Sequence, residues 1–168
     1  MYARKSRKTG FTLVEILIVV VILGILAAIV IPQFTNASES AKASSLVTQL
    51  QSIRSQLELY QVQHNGAYPD LVNSDPQWEQ FTQYTNTDGD VSATKDVDAG
   101  FKWGPYMQQP PANGFQNGST TVVALTATPG ASDAWCYDMD TGTIKAAIST
   151  AIATKVDMLG RDDDFIYY

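Results

Sequence analysis

Apolar and polar positions along the chain fall into three successive regimes. Residues 11–31 form an almost unbroken apolar run with a single charge, Glu15. As a helix, these 21 residues would reach about 32 Å, enough to cross a hydrocarbon core. After Pro32 the pattern becomes amphipathic, with Leu46, Leu50, Ile53, Leu57 and Tyr60 at spacings of 4, 3, 4 and 3. Gln49, Gln51, Arg54, Ser55, Glu58 and Gln61 take the other faces, as a helix half packed on a small domain requires. Asn65 and Gly66 tolerate left-handed backbone and predict the C-terminal stop. The pattern therefore predicts one helix over residues 11–64, roughly 80 Å long. Pro32 removes an internal hydrogen bond and Gly24 is a second weak point, so residues 24–32 are where the rod is expected to kink or loosen.

Beyond Gly66 the helical period is lost. Turn chemistry at Tyr68-Pro69 and Asp75-Pro76 brackets a segment with a short helix between or after the turns. The stretch "NTDGDVSATKDVDAG", residues 86–100, reads as an exposed loop. Three runs then have strand character, residues 120–128, 134–139 and 143–149. Turns at Pro129-Gly130 and Thr141-Gly142 make them an antiparallel meander. A sheet of this size needs a cover, and the amphipathic half of the long helix is available for it. The aromatics of the tail "GRDDDFIYY" either close the core edge or form a subunit contact, the first being the expectation. The predicted class is α+β, with the second half of a long N-terminal helix packed on a small antiparallel sheet.

Composition changes this picture in three ways. Charged residues are 17% of the 168-residue chain, against about 25% in typical soluble proteins. Neutral polar residues abound after residue 36, which suits an extracellular surface. The formal charge of -6 becomes -10 once Arg4, Lys5, Arg7 and Lys8, ahead of the apolar run, are set aside. So acidic a body repels phosphate backbones, and no nucleic-acid partner is expected. The same four basic residues predict a cytoplasmic N-terminus and a body on the far side of the membrane. Cys136 is the only cysteine, so the fold lacks an intrachain disulfide and needs another staple or its neighbours in an assembly. The apolar run exceeds the roughly 7 to 15 residues of a secretory signal. A plain membrane anchor would account for everything except Glu15, because a carboxylate inside a membrane segment costs about 2.5 to 3.5 kcal/mol and marks function.

The stretch "GFTLVEILIVVVILGILAAIVIPQF", residues 10–34, resembles the N-terminal signature of type IV pilins and of the pseudopilins of type II secretion. The resemblance implies that residues 1–10 are a leader cut after Gly10 by a membrane aspartyl peptidase, which methylates the new N-terminal Phe11. Residues 11–32 would then be the transmembrane and assembly helix, and 33–168 the pilin-like globular domain. It also implies that Glu15 sets subunit register and that Gly24 and Pro32 allow the helix to melt. Cleavage creates a positive amine that Glu15 neutralises either on an adjoining subunit or on its own chain one helical turn away. The segments "WGPYMQQPPANGF" and "AWCYDMDTGTIKA" are similar to the major pseudopilin, although Pro110-Pro111-Ala112-Asn113-Gly114 stands where that group has a different segment.

By this resemblance the chain is a filament subunit and not an enzyme. Its partners are its own copies, the prepilin peptidase, an inner-membrane assembly platform, minor pseudopilins and, before assembly, the bilayer. The resemblance also implies a structural calcium near the C-terminus, for which Asp162, Asp163 and Asp164 are the first candidates and Asp138 and Asp140 the second. Asn86, Asp88 and Asp90 match a calcium loop weakly, since Val91 stands where glycine is needed. The bland alternative is that these aspartates are solvated turn residues. His64, the only histidine, lies at the predicted helix end, where a cationic ring suits the dipole. Two alternatives to a secretion fibre remain, a surface pilin for adhesion or motility and a signal-anchored binding module that never polymerises.

Overall fold

A computed structural model describes residues 10–155 and 163–168. The chain divides into two compact units, one ending at Glu39 and the other comprising Ser40–Tyr168. Helix α1 (Leu13–Gln63) has Pro32 inside it and stays helical through both Gly24 and Pro32. It ends where the sequence predicts, with Asn65 and Gly66 at positive φ of 55° and 91° and the Gly66 amide donating to the Gln61 carbonyl at 2.8 Å.

In the first unit every large apolar side chain of the predicted membrane run is exposed, from 41% at Val30 to 83% at Phe11. The second unit behaves oppositely. The predicted stripe Leu46, Leu50, Ile53, Leu57 and Tyr60 is buried in full, together with Ala43. It joins Leu71, Trp78, Phe81, Val122, Trp135, Tyr137, Ile144, Ala146, Ile148 and Phe165 in one apolar cluster.

The sheet differs from the predicted meander. Four strands, β3 (Val122–Ala124), β4 (Trp135–Tyr137), β5 (Ile144–Ile148) and β6 (Phe165–Tyr167), stand in that order. Only β4 and β5 are antiparallel, while β3 with β4 and β5 with β6 are parallel. The turn at Asp138 to Thr143 is the hairpin expected there, but Pro129-Gly130 is not one. The chain turns just after β3, with the Ala127 amide on the Ala124 carbonyl at 2.9 Å. Residues 125–134 then suffice to return it to the start of a strand only three residues long, so a parallel pair forms without the usual helical crossover. The second parallel pair uses a longer return that includes helix α3 (Thr150–Lys155). The tail closes the core edge as expected, with Phe165 buried in β6.

In register, Val122, Trp135, Ala146 and Phe165 lie across one face of the sheet, the face that shares the apolar cluster with α1. The outer side of β3 is occupied by a side chain acting as a strand. Gln77 donates to the Val122 carbonyl at 2.7 Å and accepts from the Val122 amide at 2.8 Å. Next to it Trp78, at φ 68°, is buried with its Nε1 donating to the Thr120 carbonyl at 2.7 Å. The stretch predicted as loop supplies the turn and second strand of a small hairpin, β1 (Tyr84–Thr85) with β2 (Val91–Ser92), and the short helix α2 (Glu79–Thr82) follows Pro76.

Gly142 closes the β4–β5 turn at φ 67°, and a Cβ there would overlap the ring of Tyr68. Both the backbone and the close ring forbid a side chain. Gly142→Ala is expected to destabilise the domain by about 1 to 3 kcal/mol, read as a lowered urea midpoint. An unchanged midpoint would show that Tyr68 is free to move off the turn.

Candidate functional site

The feature that singles out the apolar run of the first unit is its one charged residue, Glu15. Thr12 caps α1, its Oγ1 accepting from the Glu15 amide at 3.2 Å. Glu15 answers by accepting through Oε2 from both the Thr12 amide and the Thr12 hydroxyl, each at 2.7 Å. This reciprocal arrangement is a capping box, and it satisfies helix-start donors that lipid cannot. Thr12 is the residue the sequence reading missed. Its signal was present, since Thr12-x-x-Glu15 directly before an apolar run is the sequence form of that motif. The box tethers the carboxylate to the first turn of the helix. Gly10 and Phe11 lie just ahead of the helix and are exposed. A Cβ at Gly24 would meet nothing within 4 Å.

The aspartates set out as calcium candidates separate into different environments. Asp162 lies outside the described residues. Asp164 pairs with Arg54, Nη1 to Oδ1 at 2.7 Å, and the Asp163 carbonyl accepts from Arg54 Nη2 at 2.8 Å. Asp138 folds its carboxylate into its own turn, accepting from the Thr141 hydroxyl at 2.8 Å and the Asp140 amide at 2.9 Å. Those bonds, the hydroxyl first, hold its carboxyl below the usual range. Asn86 similarly binds Asp90 and the amides of residues 88 and 90. Among the described residues, no group of three or more His, Cys, Asp or Glu side chains could share a metal ion.

His64 corrects its prediction. It is not a solvated cation at a helix end but a buried ring stacked on Tyr60, centroids 3.7 Å apart and 5° from parallel. The Tyr60 carbonyl, 2.9 Å from Nδ1, can only accept, so Nδ1 carries the proton and Nε2 accepts from the Thr85 hydroxyl at 3.0 Å. Burial pushes its pKa below the ordinary histidine value. Cys136 is fully buried on β4, and burial pushes its thiol up to about 11, so it is no nucleophile at neutral pH.

Comparison with known proteins places these features. The family described as "Prokaryotic N-terminal methylation motif" matches residues 5–31. The chain is 42% identical over 66 residues to the type II secretion system core protein G of Pseudomonas aeruginosa, covering 39% of this chain and 46% of that protein. The protein of the same name from Vibrio cholerae is 43% identical over 67 residues, covering 39% and 45%. The type IV narrow pilus major component PilA5 of Thermus thermophilus is 34% identical over 94 residues, covering 55% of this chain and 81% of that one. No solved structure matches. The chain belongs to the type IV pilin and pseudopilin family, whose members are structural proteins. It spans a little under half the length of the secretion proteins it matches.

The buried neutral imidazole gives stability a defined pH dependence. The folded state resists protonation while the unfolded chain takes up a proton near pH 6.5. The unfolded state therefore binds more protons as pH falls below that value, and stability drops until the lower folded pKa is passed. The urea midpoint should fall between pH 7 and pH 5 more steeply in the wild type than in His64→Gln. Parallel pH profiles would mean that the imidazole stays neutral in both states or charges in both.

Proposed function

We propose that this chain is the major pseudopilin of a type II secretion system, cut after Gly10, methylated at Phe11 and polymerised through its N-terminal helix into a fibre that drives folded proteins out of the cell. The observation that carries the reading is the apolar surface of residues 11–34, which is exposed among the described residues. Lipid covers that surface before assembly and the same surface of neighbouring copies covers it afterwards. The N-terminus lies on the cytoplasmic side of the inner membrane, where the peptidase and the assembly platform act. Minor pseudopilins are further partners.

Glu15 sets the register. Leader removal places a positive amine on Phe11, while the capping box holds the Glu15 carboxylate on Thr12. Inside a helical bundle an amine and a carboxylate without partners are each costly, and removing one member of a buried pair costs about 3 to 5 kcal/mol. Side-by-side helices therefore settle at the axial offset that brings one chain's Glu15 to another's Phe11. Glu15→Gln should be processed normally and accumulate in the membrane, with sheared fibres reduced at least tenfold as judged by immunoblotting. Wild-type fibre yield from that variant would dismiss the pairing.

A surface pilus is the second reading, favoured by the alignment along most of the Thermus pilus subunit. Deleting the gene separates the two. Retention of a defined set of folded enzymes in the periplasm is expected for a secretion fibre. Unchanged secretion with loss of sheared surface fibres would replace it with the pilus reading.

A further inference from the structure

The second unit carries a groove and a projecting turn of matching chemistry on different parts of its surface. From Ser44 to Glu58 the exposed residues of α1 are all polar or charged. The pattern then changes, and Leu59 and Val62, three residues apart on one face, are 44% and 80% exposed. Leu59 lines a groove of about 280 Å³ between α1 and residues 102–106, with Trp103 and Pro105 adding apolar surface and Gln63 a polar group. The Lys102 ammonium stands 4.9 Å from the centre of the Trp103 ring at the same groove. Such a groove suits an apolar side chain with an acidic neighbour.

The turn at residues 96–101 has that composition. Asp96 and Phe101 exchange backbone hydrogen bonds of 3.1 and 2.7 Å, and the Gly100 amide donates to the Val97 carbonyl at 3.2 Å. The Asp96 carboxylate accepts from the Ala99 amide at 3.0 Å. The tip is thus already shaped, so little ordering is lost when it binds. Val97 is 59% exposed at this tip, and Asp98 is exposed beside it. Neither Asp98 nor Lys102 has an oppositely charged partner among the described residues. The body as a whole is acidic and repels its own copies, so a cation beside an apolar groove marks a place where an acidic turn is accepted. Because turn and groove are different patches, a contact between them joins copies head to tail and leaves both ends open, as a helical fibre requires.

We propose that the 96–101 turn of one copy docks in the groove between α1 and residues 102–106 of the next. Val97 packs against Leu59 and Pro105, and the Asp98 carboxylate meets the Lys102 ammonium. This is a contact between folded domains, separate from the packing of the N-terminal helices. It rests on the fibre reading above and applies equally to a secretion fibre and a surface pilus.

The test measures sheared fibres by immunoblotting in cells that make the full chain. Lys102→Glu and Asp98→Lys should each lower the yield about tenfold, since each sets like charges together, and the variant carrying both should return to within about twofold of wild type. A chain with Leu59→Cys and Val97→Cys, oxidised in assembled fibres, should give a series of disulfide-linked multimers that neither single cysteine variant gives. Wild-type yield from both charge variants overturns the contact, and so does a double variant no better than the singles. Assembled fibres of the double cysteine chain that give no multimers overturn it too, and this readout decides the matter should a charge variant fail to accumulate. A wild type that makes no fibres overturns the fibre reading itself, and the contact falls with it.

Discussion

A single helix in this chain has to satisfy two solvents, and the rest of the structure follows from that constraint. Its first half carries apolar residues on every face and is exposed among the described residues, while its second half carries one apolar stripe and is buried along it. The uncovered half has no stable place in water. Lipid or like helices must surround it, and such surroundings offer no hydrogen bonds to an unsatisfied backbone. The capping box of Thr12 and Glu15 meets that demand at the helix start, where the amides would otherwise be without acceptors. A residue that appears out of place by hydropathy is thus consistent with its surroundings by hydrogen bonding, and the same carboxylate is available to a neighbouring amine.

The second unit is built around what the helix gives it. The stripe from Leu46 to Tyr60 supplies one side of the core, and the strands are too short to hold together by ladders alone. The sheet is therefore secured by side chains at its margins. Gln77 pairs with Val122 as a strand would, the Asn113 side chain donates to the Ala134 and Ala147 carbonyls, and Arg54 gathers the lead into β6. In a domain without a disulfide these polar contacts supply the direction that apolar packing lacks. The buried stack of His64 on Tyr60 does the same at the C-terminal end of α1, joining the helix to the hairpin through Thr85.

Much of this architecture was legible in the sequence because it is periodic or local. The apolar run, the stripe at spacings of 4 and 3, and the stop at Asn65 and Gly66 depend on residues within one or two turns of each other, and each is found as read. The capping box is equally local, since Thr12 and Glu15 are three residues apart and form it between themselves. The turn at Thr141-Gly142 was read correctly for the same reason, since Asp138, Thr141 and Gly142 form it among themselves.

The sequence by itself determined that one helix would face two environments, where it would end, and which stripe would be buried. Only the tertiary structure decided the strand order, the two parallel pairings, the burial of His64 and the partner of Arg54. The reason is separation along the chain. Arg54 meets Ile144 and Asp164 across 90 and 110 residues, and His64 meets Thr85 across 21. Such contacts leave no period to read. Aspartates in a row look alike as sequence, whether they face water, an ion or an arginine, and the difference arises only when folding brings a distant cation to one of them.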